Sequence, residues 1–306
     1  MPPLCPPEDW RKLAEVFFED SGIGGLYLAN KSVLAMYGGG RTTGICVDTG
    51  EDMTYIVPCW EGTPLPNATM IQKLGGKHVT DRYKELLVLP QVCFIFKNSF
   101  RLLALLSNGK YSFPDDTFLL LRGRGGRGLS VVSRRDVVRE AKEHFCRIDP
   151  VNGLKVSKKP LEQVLRLPDG NIVVVGDEAT SAPELMFKPE LVKKSYSGLH
   201  ELLYESLSRC EEKYRSRLLS NIVLTGGNSL LPGFDKRLEA ELSKMVGDGD
   251  KNRVRVTSQK GRENFTWKGG VHLSSLSSFQ GLWLTKQDYM ETGANINVQE
   301  ATVYEQ

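Results

Sequence analysis

The chain has 306 residues, enough for two domains of ordinary size, and its hydrophobic fraction of 40% is enough for a buried core. The formal net charge is +3 at neutral pH, with positive and negative side chains mixed along the chain. So weak a bias excludes the strongly basic proteins that bind nucleic acid or membrane surfaces through charge, and we expect neither partner.

The cysteines and the apolar runs indicate the compartment. The cysteines are spread along the chain without a C-x-x-C pair: Cys5, Cys46, Cys59, Cys93, Cys146 and Cys210. Such spacing is typical of buried, reduced thiols and not of a disulfide framework or a zinc site. No signal peptide is visible, and the apolar run at 92–106 is shorter than the roughly 20 apolar residues that span a bilayer. We therefore expect a cytoplasmic protein, with the nucleus as the alternative.

The first part of the chain predicts two helices. Prolines and acidic residues precede an apolar helical face that consists of Trp10, Leu13, Ala14 and Phe17. A short strand at 26–28 and a second helix at 31–37 follow. The second helix ends at a run of glycines, 38–40, because glycine favours helix ends.

The next stretch predicts a β-hairpin, because the apolar runs at 44–47 and 55–58 flank a polar turn. The predicted loop, 48–54, contains Gly50, which lets backbone N–H groups approach an anion, and the hydroxyl donors Thr49 and Thr54. The carboxylate of Asp48 is suited to hold a hydrated Mg²⁺. Taken alone, the loop fits either a phosphate cradle or a polar hairpin tip that binds nothing.

The remaining elements alternate helices and strands. Apolar periodicity predicts helices at 134–148, 199–216, 233–246 and 267–278, with helical turns at 183–187, 189–193 and 286–291. The segment 74–81 is expected to open another helix, which has Thr80 or Asp81 near its start and runs to about residue 87. Strands are predicted at 222–224 and 254–257, and a hairpin at 164–176 around a Pro-Asp-Gly turn. The strand at 222–224 enters the turn Thr225-Gly226-Gly227-Asn228, where α/β sheets bind ligands, although a purely structural turn is the alternative.

Four segments resemble the actin family. GRTTGICVDTG at 40–50 is similar to that family's second phosphate loop, and NIVLTGGNSLLPGF at 221–234 to its adenosine-binding turn. WKGG at 267–270 with LSSFQGLWLTKQDY at 276–289 is similar to its C-terminal signature, and 167–187 is the fourth match. All lie in family order, so the chain is identified as a member of the actin superfamily.

The resemblance implies an α/β, actin-like fold of the ribonuclease-H-like, sugar-kinase and chaperone ATPase class. The chain begins well inside the family pattern, so the first phosphate hairpin and the outer small subdomain are expected to be missing. We expect 1–75 to be the remainder of the first large subdomain with the second phosphate hairpin. Residues 76–260 then form the second half of the fold, and 261–306 the returning C-terminal helices with a polar tail.

The segment 88–130 is expected to be an atypical insert, because it interrupts a matched segment. Its apolar part, 88–106, suits a partner-binding segment or non-coding sequence read through in a misassembled gene, and we favour the second. Its Arg-Gly tract, 122–128, suits RNA binding or a flexible solvated loop, and we favour the loop because aromatic residues are not interleaved with it.

The resemblance also implies a site for ATP or ADP with Mg²⁺. The nucleotide-binding positions are Asp48, Thr49, Gly50, Glu51, Thr54, Gly76, Lys142, Glu143, Thr225, Gly226, Gly227 and Asn228. Asp48 is the expected metal residue, and Lys142 and Glu143 are expected to line the adenosine pocket, the carboxylate reaching the ribose. A solvated Lys-Glu pair is the alternative for these two residues.

Several positions depart from the family pattern. Lys31 and Tyr55 stand where the family has the glutamine and the histidine that position the attacking water. Lysine has no hydrogen-bond acceptor and cannot replace that glutamine. Asp52 replaces a glycine of the phosphate loop, Leu231 an adenine-packing tyrosine and Glu263 a lysine. We therefore predict no catalytic residues, weak nucleotide binding and little hydrolysis.

The resemblance further implies a partner-binding groove at Tyr37, Leu273, Leu276, Ser278 and Leu282. Other actin-family subunits or actin-binding proteins are the expected partners, and the cytoskeleton the expected location. Three hypotheses compete for the function. The first is an actin-related structural or interaction subunit of a cytoskeletal or chromatin-associated assembly, the second a truncated or misassembled ATP-binding, filament-forming protein. The third, an independent phosphotransferase, is disfavoured because the C-terminal signature is specifically actin-like.

Overall fold

A computed structural model describes residues 1–87, 118–122, 129–149, 163–166, 172–192, 195–247 and 249–293. These residues form two compact units. The first contains Met1–Gly75, Ser197–Leu230 and the described residues from Asp235 onward. The second contains the described residues between Gly76 and Tyr196, together with Leu231–Phe234.

Short strands and helices of two to twelve residues make up both units. In chain order, the strands are β1 Gly25–Leu26, β2 Gly44–Thr49, β3 Thr54–Trp60, β4 Thr63–Pro64, β5 Met70–Gln72, β6 Phe118–Arg122, β7 Leu129–Ser133, β8 Gln163–Arg166, β9 Ile172–Val175, β10 Ile222–Thr225, β11 Val256–Thr257 and β12 Leu284–Thr285. The helices are α1 Pro7–Glu15, α2 Lys31–Gly38, α3 Gly76–Leu86, α4 Arg134–Phe145, α5 Glu178–Ser181, α6 Leu199–Arg209, α7 Glu212–Leu219, α8 Phe234–Met245, α9 Phe265–Ser274 and α10 Lys286–Thr292.

A mixed sheet organises the first unit. Its strands run in the order β11-β10-β2-β3-β4, and β5 also pairs with β3. The strand β10 lies parallel to both β11 and β2, whereas β2 and β3 form the predicted antiparallel hairpin. Because β2 is buried along its whole length, its apolar residues are covered on both faces, as in α/β proteins. The mixed α/β content predicted from the sequence is confirmed.

One core cluster joins the sheet to the helices α2 and α9. The sheet contributes Cys46, Val57, Cys59 and Val223, and the helices contribute Ala35, Met36 and Phe265. The two helices approach so closely that Cβ atoms built at Gly38 and Gly269 would overlap the backbone of the opposite helix. Glycine is therefore required at both positions for this packing.

The N-terminal helix meets the C-terminal helix in the same unit. Phe18 stacks on Tyr289 with ring centroids 4.7 Å apart. The Tyr289 hydroxyl donates to Glu19 Oε1 over 2.7 Å, and this hydrogen bond raises the pKa of Tyr289 to about 12. On the predicted apolar face, Trp10 and Ala14 are buried and Phe17 is half-buried. The helix α1 continues as a π-helical turn at Val16–Asp20, and its wider register also buries Phe18.

Several predicted boundaries are corrected. The helix predicted at 199–216 is divided into α6 and α7, because Cys210 has an extended backbone with ψ 149°. The buried residues of α6 recur with the helical period and are Leu199, Leu202, Leu203, Ser206 and Leu207. The helix predicted at 267–278 begins earlier, at Phe265, and ends at Ser274, before a 3₁₀ segment at Ser277–Leu282. The strand predicted at 26–28 is the two-residue β1.

The second unit contains α3, α4 and two hairpins. The strands β6 and β7 pair antiparallel, as do β8 and β9, and the latter pair confirms the hairpin predicted at 164–176. The strand β6 and the first residues of β7 lie within the segment that is expected to be an insert, 88–130. The apolar run 88–106 and the Arg-Gly residues 123–128 lie outside the described residues. No helix among the described residues has the length and apolar character to cross a membrane.

Two neighbouring glycines of α9 test the helix packing. We expect Gly269→Ala to lower the free energy of unfolding by about 3 kcal/mol, since its methyl group would overlap the Leu34 carbonyl oxygen. Gly270→Ala is the matched control, because nothing lies within 4 Å of a Cβ atom built there. We expect this control to raise stability by about 0.5–1 kcal/mol through helix propensity. Denaturant unfolding of both variants measures the difference, and equal effects would contradict the packing.

Candidate functional site

The hairpin of β2 and β3 carries the predicted phosphate-loop residues, but its strands are longer than predicted. Asp48 and Thr49 belong to β2, and Thr54 opens β3, so these three residues are not in the loop. The ladder continues to the pair Thr49–Thr54. Gly50 then donates its N–H to the Met53 carbonyl over 3.0 Å, which closes a tight tip. The boundary prediction failed because cross-strand pairing overrides the weak strand propensity of Asp48, and because Thr49 and Thr54 are β-branched residues that favour strands.

Two other segments of the chain approach the backbone of the hairpin tip closely, each at a glycine. Cβ atoms built on Gly75 and Gly226 would overlap the backbone of the hairpin at Gly50, Glu51 and Thr49. Gly226 also has a φ of +83°, a left-handed conformation that other residues rarely adopt. The turn Thr225–Asn228 therefore lies directly against the hairpin, and the two predicted segments of the site come together within the first unit.

Hydrogen bonds complete this contact. The Asn228 amide donates to the Gly50 carbonyl over 2.6 Å and to Thr49 Oγ1 over 3.1 Å. The Thr54 hydroxyl donates to the Leu74 carbonyl over 2.6 Å. Of the two hydroxyls that the sequence suggests as phosphate donors, that of Thr54 therefore donates within the protein, and that of Thr49 accepts from Asn228.

Arg262 forms hydrogen bonds with both ends of the segment 225–229, and sequence reasoning missed this residue. Its guanidinium donates to the Ser229 carbonyl over 2.6 Å and to Ser229 Oγ over 3.1 Å. The Thr225 hydroxyl donates to the Arg262 carbonyl over 2.7 Å. No local motif marks Arg262, because it precedes a helix and its partners are far away in the sequence.

Lys31 makes the main electrostatic contact of the site. Its ammonium Nζ lies 2.7 Å from Asp48 Oδ2, and 3.8 Å from the centroid of the Tyr55 ring. Asp48 and Tyr55 are direct partners in the hairpin ladder, so their side chains leave the sheet on the same face. The two residues that the resemblance implies at the family's glutamine and histidine positions thus contact each other, and Lys31 also contacts Asp48, the expected metal residue.

The residues do not fit a Mg²⁺ ion beside Asp48. Its side chain is only 12% exposed, and its carboxylate is already neutralised by Lys31. The repulsion of a divalent ion by the ammonium offsets its attraction by the carboxylate, so the neutral pair offers the ion no net Coulomb attraction at similar distances. Across the described part of the chain, no cluster of three His, Cys, Asp or Glu residues could hold a metal ion. Glu51 and Asp52 are exposed on the hairpin tip.

The predicted site residues of the second unit separate into a buried and an exposed set. Gly76 begins α3 and is buried, and Lys142 is 4% exposed on α4 with its Nζ 3.4 Å from the Gly76 carbonyl oxygen. The adjacent Glu143 is exposed to solvent. Leu231, at the position of the family's tyrosine, is buried. The role of Lys142 and Glu143 at adenosine stays a prediction.

The predicted groove residues lie at the surface of the first unit. Tyr37, Leu273 and Leu282 are half-buried, whereas Leu276 and Ser278 are exposed, Leu276 by 54%. Sequence reasoning missed two further exposed apolar residues on α9, Trp267 and Val271. Their spacing of four residues places them on one face of the helix.

The cysteines have a structural role. Cys46, Cys59, Cys146 and Cys210 are buried, as predicted, whereas Cys5 is half-exposed and Cys93 lies outside the described residues. Burial raises the pKa of the Cys59 thiol to about 12, so it stays protonated at neutral pH. Burial, with a smaller contribution from Asp48, also raises the pKa of Cys46. These thiols are therefore poor nucleophiles and metal ligands.

Comparisons with known proteins agree with the residues that first indicated the family. The family model described as Actin matches residues 1–302. A protein described as actin-29 from Dictyostelium discoideum is 31% identical over 302 residues, which cover 96% of this chain and 69% of that protein. Centractin of Schizosaccharomyces pombe is 32% identical over 292 residues, which cover 94% of this chain and 67% of that protein.

The amide of Asn228 tests the contact between the turn and the hairpin. We expect Asn228→Asp to lower the free energy of unfolding by about 1–3 kcal/mol, because a carboxylate has no donor for the Gly50 carbonyl and leaves it unpaired. Asn264→Asp is the control, since Asn264 is exposed and bonds only weakly, to Glu263 over 3.4 Å. Thermal unfolding of both variants makes the comparison. An unchanged melting temperature for Asn228→Asp would show that the contact contributes nothing.

Proposed function

The chain belongs to the actin family, and we propose that it serves as a structural or interaction subunit of a cytoskeletal or chromatin-associated assembly and does not hydrolyse ATP. Actin-family members generally bind ATP or ADP with Mg²⁺. One observation leads us to propose that this chain does not hydrolyse ATP. The ammonium of Lys31 forms an ion pair with Asp48 and also contacts the ring of Tyr55.

This ion pair removes the chemistry that hydrolysis needs. A water that attacks a phosphate must be oriented by a group that accepts a hydrogen bond from it. The ammonium of Lys31 has donors only, and its side chain is held by Asp48 and Tyr55 together. The site therefore offers a fixed cation where the family resemblance places an acceptor.

The apolar surface of the first unit supports a role in protein contacts. Trp267 is 70% exposed, and Val271, Leu276 and Trp283 are also exposed large apolar residues on the C-terminal segments of the chain. Aromatic residues of this kind are enriched where proteins bind each other. Partners within the actin family, or proteins that bind actin through an amphipathic helix, fit this chemistry. A cytoskeletal location, with the nucleus as the alternative, belongs to the same proposal.

The second candidate is an ATP-binding, filament-forming actin-like protein. The intact contact of the hairpin with the Gly226 turn favours it, because this arrangement still presents two glycine-containing segments side by side. Both candidate functions are consistent with membership of the actin family. They differ in whether the protein hydrolyses ATP.

Phosphate release from ATP separates the two candidates. We expect the full chain with excess Mg²⁺ and ATP to release phosphate no faster than a reaction without protein. The double variant Lys31→Gln with Tyr55→His restores the residue types that the family resemblance places at these positions, and we expect it to release phosphate above that background. Turnover by the unmodified chain that disappears in Asp48→Asn would overturn the proposal.

Substitution of Leu276 tests the surface. We expect Leu276→Asp to weaken binding to purified actin at least about tenfold, since a charge in an apolar contact must be desolvated. Ile71→Asp is the matched control, because Ile71 is an aliphatic residue 40% exposed on the strand β5 and is not part of the C-terminal segments. Titration calorimetry measures both. An equal loss in the two variants, or a loss in neither, contradicts this assignment of the surface.

A further inference from the structure

The position of Lys31 bears on the metal requirement of the site as well as on hydrolysis. Lys31 is the first residue of α2, and the helix start is capped by the Asn30 side chain, which accepts the N–H of Ser32 over 2.9 Å. Its backbone is therefore fixed, and its side chain reaches the same face of the hairpin as Asp48 and Tyr55. A single ammonium contacts both members of one cross-strand pair.

We propose that Lys31 is a built-in counter-ion that replaces the divalent cation at Asp48. The site then takes up no Mg²⁺ there, and a nucleotide polyphosphate held by it binds as the metal-free anion. The nature of the ligand rests on the proposed function, since it follows from the actin-type hairpin and turn. The exclusion of the metal rests on the ion pair alone.

Three features of the pair support this assignment. The Asp48 carboxylate is 12% exposed and the Lys31 side chain 29%, so both charges are largely removed from water and depend on each other. Displacement of the ammonium would break the ion pair and the Tyr55 contact together, because the same Nζ makes both. Mg²⁺ gives up its water reluctantly and needs a free carboxylate with phosphate oxygens, whereas this carboxylate already has a cation.

Manganese binding and ATP affinity test the proposal in the full chain. Mn²⁺, a paramagnetic substitute for Mg²⁺, is titrated into the protein with and without ATP, and bound ion is measured by electron paramagnetic resonance. In parallel, ATP affinity is measured by calorimetry in excess Mg²⁺ and in excess EDTA. The variants are Lys31→Gln, which removes the cation, and Lys31→Arg, which keeps it. Lys244→Gln is the matched control, because it removes a cation that pairs with Glu241 over the similar distance of 2.8 Å.

We expect the unmodified chain, Lys31→Arg and Lys244→Gln to bind no Mn²⁺ on the protein, and to bind ATP with affinities that differ by less than about twofold between Mg²⁺ and EDTA. We expect Lys31→Gln to gain a protein-bound Mn²⁺ and to bind ATP at least about tenfold more tightly with Mg²⁺ than with EDTA. Absence of ATP binding to all of the proteins, Lys31→Gln included, would contradict the proposal, because the expected metal-dependent gain in affinity would be missing.

Two further results would overturn the proposal. One is Mn²⁺ bound to the unmodified chain and lost in Asp48→Asn, a comparison that also decides the matter if Lys31→Gln does not fold. The other is a folded Lys31→Gln that gains no Mn²⁺. Failure of the proposed function is distinguishable: phosphate release that persists in EDTA would refute the non-hydrolysing role and leave metal exclusion standing. Mg²⁺-dependent ATP binding without turnover would refute metal exclusion and leave the non-hydrolysing role standing.

Discussion

Close approach of one backbone to another, with no side chain between them, is the constraint on which the first unit depends. It occurs between α2 and α9 at Gly38 and Gly269, and between the hairpin and its neighbours at Gly75 and Gly226. The first contact fixes α2 against the sheet, and the second fixes the tip of the hairpin. Together they determine where Lys31, at the start of α2, stands relative to Asp48 on the hairpin.

In that geometry, the negative charge of Asp48 must be compensated within the protein. A carboxylate as little exposed as that of Asp48 needs a compensating charge, because an unpaired buried charge costs several kcal/mol. A bound metal ion is one source of that charge and a lysine is another. A partly buried lysine loses hydration of its ammonium group. The face of the Tyr55 ring compensates for part of this loss through a cation–π contact worth about 0.5–2 kcal/mol. Lys31 and Tyr55 are therefore best understood as a coupled pair, in which Lys31 neutralises Asp48 and the Tyr55 ring stabilises the Lys31 ammonium.

The sequence predicted what depends on local pattern and missed what depends on contacts between distant segments. The hairpin, the strand before Gly226 and the buried face of α6 follow from short-range periodicity, and all three are present. The ends of the hairpin strands and the π-helical turn after α1 depend on pairing and packing, which propensity does not record. The same limit applies to the candidate site. The substitutions at Lys31 and Tyr55 were visible in the sequence, but their contact with Asp48 was not, because it joins residues from a helix and two strands.

The distribution of donors and charges in the site leads to the same view of the protein. An anion cradle needs donors that point outward, yet Asn228, Thr54 and the Gly50 N–H all bond within the protein. The Lys31 cation is cancelled by Asp48, and the exposed carboxylates of Glu51 and Asp52 give the hairpin tip a negative charge. The polar groups of such a site hold its own segments in place. On our proposal, the actin fold of this chain is therefore a rigid support for an apolar surface, and the former ligand site has become part of that support.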